Sequence, residues 1–159
     1  MELFSIRIQR TFQLVSTDKI DYAIKKDGRT ILLIECKHCK QNLDLHNTQL
    51  SKYYAASNAR FGVLTNGIEY RFYADLDKTN IMDEKPFLVV NMLDLSDADI
   101  EEMKKFHKSC YNESEILSTA KELQMMIQIK EILAKNFQSP GDEFTRYCVR
   151  SLNLSLIHI

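Results

Sequence analysis

Glycine and proline are scarce in this chain, four and two among 159 residues, so its loops should be short. An excess of charge of one sign is also missing. With 21 Lys and Arg against 22 Asp and Glu, the formal net charge is −1. No global basic field exists, and nucleic acid, if bound, must be held by a local patch or by partner subunits. No apolar run approaches the roughly 18 residues of a membrane helix. The opening MELFSIRIQR lacks the basic stretch and long apolar core of a secretory signal. The four cysteines are few and unevenly placed, and read as reduced thiols in a cytoplasmic protein. There is no internal repeat, no low-complexity tract and no Gly-x-x-x-x-Gly-Lys-Ser/Thr loop of an ATP-driven motor.

What is present has the composition of one globular domain with an extension: 45% hydrophobic and 27% charged. Residues 3–8 and 12–15 are candidate strands. Ile20–Ile24 and Ile31–Lys37 read as strands joined by a hairpin at Lys26-Asp27-Gly28-Arg29, because Asp-Gly supplies the positive φ of a tight turn. Asp44 to about Ser57 reads as a helix, with Leu45, Gln49, Leu50 and Tyr53 near one face. Arg60–Leu64, Ile68–Ala74 and Phe87–Met92 follow as strands, with a turn at Thr65-Asn66-Gly67 and polar loop over 75–86. The pattern then turns helical. Ser96-x-x-Asp99 starts one helix, with Ile100, Met103 and Phe106 on one face. Asn112-x-x-Glu115 starts a longer one with Ile116, Ala120, Leu123 and Ile127 in period. Ser139-Pro140-Gly141 breaks it before a last helix over 142–152. The expectation is an α/β core, a mixed sheet with flanking helices over residues 1–95, followed by a C-terminal helical extension over 96–159.

The chemically informative residues are Asp21 and the run Glu35-Cys36-Lys37. Side chains alternate along a strand, so Glu35 and Lys37 share one face, and Ile34 and Cys36 share the other. An acid and a lysine ending an apolar strand are costly unless paired or bound to metal. Counting back from the Asp-Gly turn, Asp21 can lie opposite Glu35. Two converging carboxylates suit a hard cation such as Mg²⁺, with the backbone carbonyl of Cys36 as a further ligand. A lysine beside such a cation can orient a water and stabilise charge on a phosphate. Against this stands a plain surface hairpin in which Glu35 and Lys37 form a weak ion pair.

The segments DYAIKKDGRTILLIECKH, QLSKYY and RFGVLTNGIEYRFY, in that order, resemble the N-terminal nuclease domain of type I restriction enzyme R subunits and their prophage-borne relatives, from about Ile20 to Phe106. The resemblance implies a restriction-endonuclease-like fold of the PD-(D/E)XK superfamily, a hydrolase cutting DNA with Mg²⁺. It places the metal-binding aspartate on Asp21, the second acidic ligand on Glu35 and the catalytic lysine on Lys37. It places the glutamine and tyrosine of the following helix on Gln49 and Tyr53, four apart and hence on one helical face. Relatives also carry an N-terminal helix that often contributes an acid. Here the region before Ile20 is short, with Glu2 the one acid before Asp18. The closing SLNLSLIHI is apolar and aperiodic and reads as a truncated end.

Other constellations carry less. Cys36, Cys39, His38 and His46 lack the second spaced pair of a structural zinc site, so no zinc and no disulfide are expected. Cys36 should instead be a buried free thiol. His107 and His158 read as surface residues. The aromatics Tyr53, Tyr54, Tyr70, Phe72 and Tyr73 read as core before they read as base-stacking platforms. Lys37, His38, Lys40, Lys52 and Arg71 can form a basic rim for phosphates, or serve as scattered solvated charges. The expected function is Mg²⁺-dependent (Mn²⁺ as a substitute) hydrolysis of DNA phosphodiester bonds within a restriction-modification system. Its partners would be DNA and motor or other restriction subunits, and no membrane. The alternative is a non-catalytic nuclease-fold module for DNA binding or subunit docking. Metal-dependent nicking separates the two.

Overall fold

In the computed structural model, which describes residues 6–12, 19–45 and 47–151, the chain forms a mixed sheet with helices on both faces. Its strands are β1 (Ile6–Phe12), β2 (Ile20–Lys26), β3 (Arg29–Cys36), β4 (Phe61–Thr65), β5 (Glu69–Ala74) and β6 (Leu88–Asn91). They lie side by side in chain order. Neighbours are antiparallel except β3 and β4, which run parallel. A parallel pair needs a crossover, and this one is made by a 3₁₀ turn (Leu43–Leu45) and helix α1 (Asn47–Ala56).

The hairpin turn behaves as Asp-Gly dictates: Asp27 and Gly28 both take positive φ, 52° and 80°. A register irregularity between Ile24 and Lys25 adjusts the β2–β3 pairing near the turn. The described parts of the two candidate strands at 3–8 and 12–15 fall within one strand, β1 (Ile6–Phe12), paired to β2. Residues 1–5 and 13–18 lie outside the described residues, as do His46, His158 and the SLNLSLIHI end.

Period-two alternation sorts the core into two layers. On the α1 face Leu33, Leu64, Ala23 and Tyr73 meet Leu50, Tyr53 and Tyr54. On the other face Leu32, Val63, Phe72 and Val90 meet Ile116 and Ala120 of α3 (Glu113–Gln138), with Met103 and Phe106 packed alongside. The Phe61 ring meets Phe106 edge to face at 5.5 Å. Helix α2 (Asp97–Lys104) begins with the expected capping box, Ser96 and Asp99 satisfying each other's backbone N–H. It ends before Phe106, which reaches the core from the segment after the helix, while Ile100 stays exposed.

The chain divides into two compact units, Met1–Gln124 and Met125–Ile159. The first holds the sheet, α1, α2 and the opening turns of α3. The second holds the rest of α3 and α4 (Asp142–Ser151), where Phe137 and Phe144 meet edge to face at 5.8 Å. The break between the helices falls at Ser139-Pro140-Gly141.

Where α1 crosses β4, Gly62 leaves space that Leu50 fills. A Cβ built at Gly62 would sit 3.2 Å from Leu50 Cδ2. Leu50 is fully buried and has nowhere to go. Gly62→Ala should therefore destabilise the fold by about 1–3 kcal/mol through overpacking. The check is a lower urea midpoint at unchanged slope; an unchanged midpoint would mean that α1 shifts freely on the sheet.

Candidate active site

The site sits where the parallel β3–β4 pair ends beneath the start of α1. The register Ala23↔Leu33 and Tyr22↔Ile34, continued by one residue, sets Asp21 level with Glu35. Both then share the α1 face with Leu33. Cys36, between Glu35 and Lys37, donates its amide N–H to Asp21 Oδ2 at 2.8 Å. The chain next turns off the sheet, where the Lys37 amide still donates to the Thr65 carbonyl at 2.7 Å.

Glu35 is the buried acid of the group, only 3% exposed. Its Oε1 accepts from Lys37 Nζ at 2.5 Å. Lys37 Nζ also donates to Gln49 Oε1 at 3.0 Å, and Gln49 Nε2 donates to the Lys19 carbonyl at 2.8 Å. Gln49 thus ties the lysine on the β3 exit to the chain entering β2. Glu35 Oε2 has no hydrogen-bond partner although it is buried. Desolvation pushes the Glu35 carboxyl above the usual carboxylate range and the Asp21 charge adds to the rise, while Lys37 opposes it. The orphaned oxygen is free to serve as a cation ligand.

Asp21 is exposed at the edge of this pocket. Among the described residues no group of three or more His, Cys, Asp or Glu side chains is placed to hold a metal. A cation here would take two carboxylates from side chains and complete its shell with backbone oxygen and water. That donor set suits Mg²⁺, which keeps several waters.

The structure thus brings Asp21, Glu35, Lys37 and Gln49 together. Tyr53, one turn beyond Gln49, is buried in the α1-face core with Leu50 and Tyr54. His38 and Lys40 are exposed in the loop after β3, with the Lys40 amide donating to His38 Nδ1 at 3.2 Å. Lys52 is exposed on α1. Arg71 is held by carboxylates instead of standing open to phosphate: Nη1 reaches Asp44 Oδ1 at 2.5 Å and Nε binds Glu69.

One expectation fails. Cys36 is exposed, not a buried thiol. The apolar cover on its face comes from Phe106, Tyr111 and Ile116 and lies over Ile31 and Leu32; it thins through half-buried Ile34 and is gone at Cys36. Partial desolvation of the sulfur and the carboxylates of Asp21 and Glu35 still hold its thiol pKa up, which disfavours the thiolate.

Asn66 was legible only as a turn residue, yet it braces the site. Its side-chain oxygen accepts from the amides of Ile68 and Glu69 at 3.1 and 2.8 Å. Its Nδ2 donates to the carbonyls of Cys39 and Gln41 at 3.4 and 3.3 Å. The β4–β5 turn thereby grips the loop that follows Lys37. Asn before Gly is a turn signal, and nothing local in the sequence marks its long-range partners.

Over residues 3–81 the chain matches the family model of the type I restriction enzyme R protein N terminus. No curated protein and no solved structure gives a significant match.

Proposed function

We propose that this chain, whose residues 3–81 match the family model of the type I restriction enzyme R protein N terminus, hydrolyses DNA phosphodiester bonds with a divalent cation at Asp21 and Glu35. The observation that carries this reading is the buried, unpartnered Glu35 Oε2 on the same face as the Asp21 carboxylate.

Asp21, Glu35 and the backbone carbonyl of Cys36 are the groups that would hold Mg²⁺ or Mn²⁺. When bound, such an ion supplies Lewis acidity and lowers the pKa of a coordinated water. Lys37 presents its ammonium beside Glu35, where it can orient the attacking water and stabilise charge developing on the phosphate. Gln49 fixes that ammonium by accepting from it while anchored to the Lys19 carbonyl. Asp21 also receives the Cys36 amide, which holds the β2 carboxylate against the end of β3. Lys40 and Lys52, exposed after the β3 exit and on α1, are the cations of the expected rim left to meet DNA phosphates, with the His38 ring beside Lys40.

A net charge of −1 implies few phosphate contacts and hence weak binding that modest salt suffices to remove. The test is nicking of supercoiled plasmid. The expected result is slow, sequence-independent nicking at low salt with Mg²⁺ or Mn²⁺, blocked by chelator and faint near physiological salt. Binding without metal-dependent nicking at any salt would leave a DNA-binding or docking module instead. Within this assay Gln49→Ala should slow nicking by about 10-fold, the worth of one positioning hydrogen bond to a charged group. An unchanged rate would show that Lys37 is positioned without Gln49.

A further inference from the structure

Beyond Gln124 the long helix α3 presents an apolar stripe. Met125, Met126, Ile129, Ile132, Leu133 and Phe137 are 62, 51, 42, 59, 42 and 73% exposed. Their spacing repeats at three and four residues over Met125–Phe137, the seam of a helix that pairs lengthwise with another helix. The buried residues of α3, Ile116 and Ala120, both lie earlier, where the helix covers the sheet. Helix α4 touches the end of the stripe through Phe144 on Phe137, and the stripe stays open all the same.

We propose that this stripe is a self-association surface, through which two copies of the chain pair as a symmetric dimer. Area decides the occupant. At roughly 200 Å² per large side chain, the six leave about 650 Å² open on each copy. A two-fold pair covering both stripes would remove about 1,300 Å² from water, within the range of stable interfaces. A second copy also supplies what a helical seam requires, another helix with the same apolar period. The segment Met125–Gln138 carries two lysines and one glutamate, Lys130, Lys135 and Glu131, so charge repulsion between copies is small. The pairing would also bring two nuclease domains into one particle, which suits cutting both strands of a duplex.

The experiment is sedimentation equilibrium of the full chain across micromolar concentrations. The wild type should be a dimer. Ile129→Asp, at the centre of the stripe, should weaken dimerisation by about 100-fold or more, because an unpaired carboxylate would be buried in the seam. Ala134→Asp, exposed on the opposite face of the same helix, adds the same charge and should leave the dimer intact. Far-ultraviolet circular dichroism confirms that both variants keep their helices. A monomeric wild type, a dimer indifferent to Ile129→Asp, or equal loss in Ala134→Asp would each overturn the proposal. A monomer that co-sediments with phosphatidylserine–phosphatidylcholine vesicles would give the stripe to a lipid surface instead. Dimerisation is read without DNA or metal, so its failure is separate from failure of the nuclease reading.

Discussion

Lys37→Ala is expected to lower metal-dependent nicking by about 10³-fold, the typical cost of removing one group that stabilises transition-state charge. The geometry argues for a loss of this size. Lys37 Nζ is bonded to Glu35 at 2.5 Å, and Gln49 fixes its position at 3.0 Å. Arg71 is tied to Asp44 and Glu69. DNA affinity should hardly change, because one lysine is worth at most about one phosphate contact and a change of about 0.9 in the salt slope. Removing the ammonium also removes a charge that lowers the Glu35 pKa. Part of the defect at neutral pH will therefore be weaker metal binding, recoverable at higher pH or with more metal. The catalytic part will persist at saturating metal. Nicking within 10-fold of wild type under saturating Mg²⁺ would remove Lys37 from the chemistry.

The same residues show what a sequence can disclose. Alternation alone placed Glu35 on one face and Cys36 on the other, and the Asp-Gly turn brought Asp21 near that end, with the one-residue register shift between Ile24 and Lys25 needed to set it level with Glu35. Those are local properties, a period of two and a turn with a defined φ. The α1 spacing likewise set Gln49 and Tyr53 on a common face. What local pattern could not give was the extent of cover. The fate of Cys36 depends on how far the segment around Phe106 and Tyr111 reaches along β3, a matter of packing between residues some 70 apart in sequence. Arg71 reads as a rim cation or a solvated charge because its partner Asp44 reaches it only once β5 lies beside the chain before α1, joining Glu69 from the same strand. The exposed stripe of α3 shares no residue with the period Ile116, Ala120, Leu123 and Ile127 that marked the helix, since a period picks out one apolar face and does not say whether a second face packs on another molecule.

Glu35→Gln should improve one property and abolish two. In the metal-free protein, burial holds the Glu35 pKa above its ordinary value. A group raised on folding contributes stability that is fully present below its unfolded pKa and is lost as pH rises through its folded pKa. As pH falls the wild-type carboxyl takes up its proton earlier than an ordinary glutamate and comes to resemble glutamine, so the two proteins should melt closer together. At pH 8 the wild type carries the desolvated charge and the variant does not. The variant should then melt higher by about 2–4 °C. Adding Mg²⁺ or Mn²⁺ reverses the order, because a cation that binds only the folded wild type raises its melting temperature by mass action. That response should grow with pH as metal competes with the proton, and it should be absent from Glu35→Gln. Nicking should fall by about 10³-fold or more with it, the cost of a lost charge-stabilising group. The readouts are melting curves at pH 5 and 8, with metal and with chelator, beside the plasmid assay. A wild type that outlasts the variant at pH 8 under chelator would mean that the Lys37 pairing outweighs the burial of Glu35. An equal metal response in both proteins would place the cation away from Glu35, and Asp21 would then have to hold it with other groups.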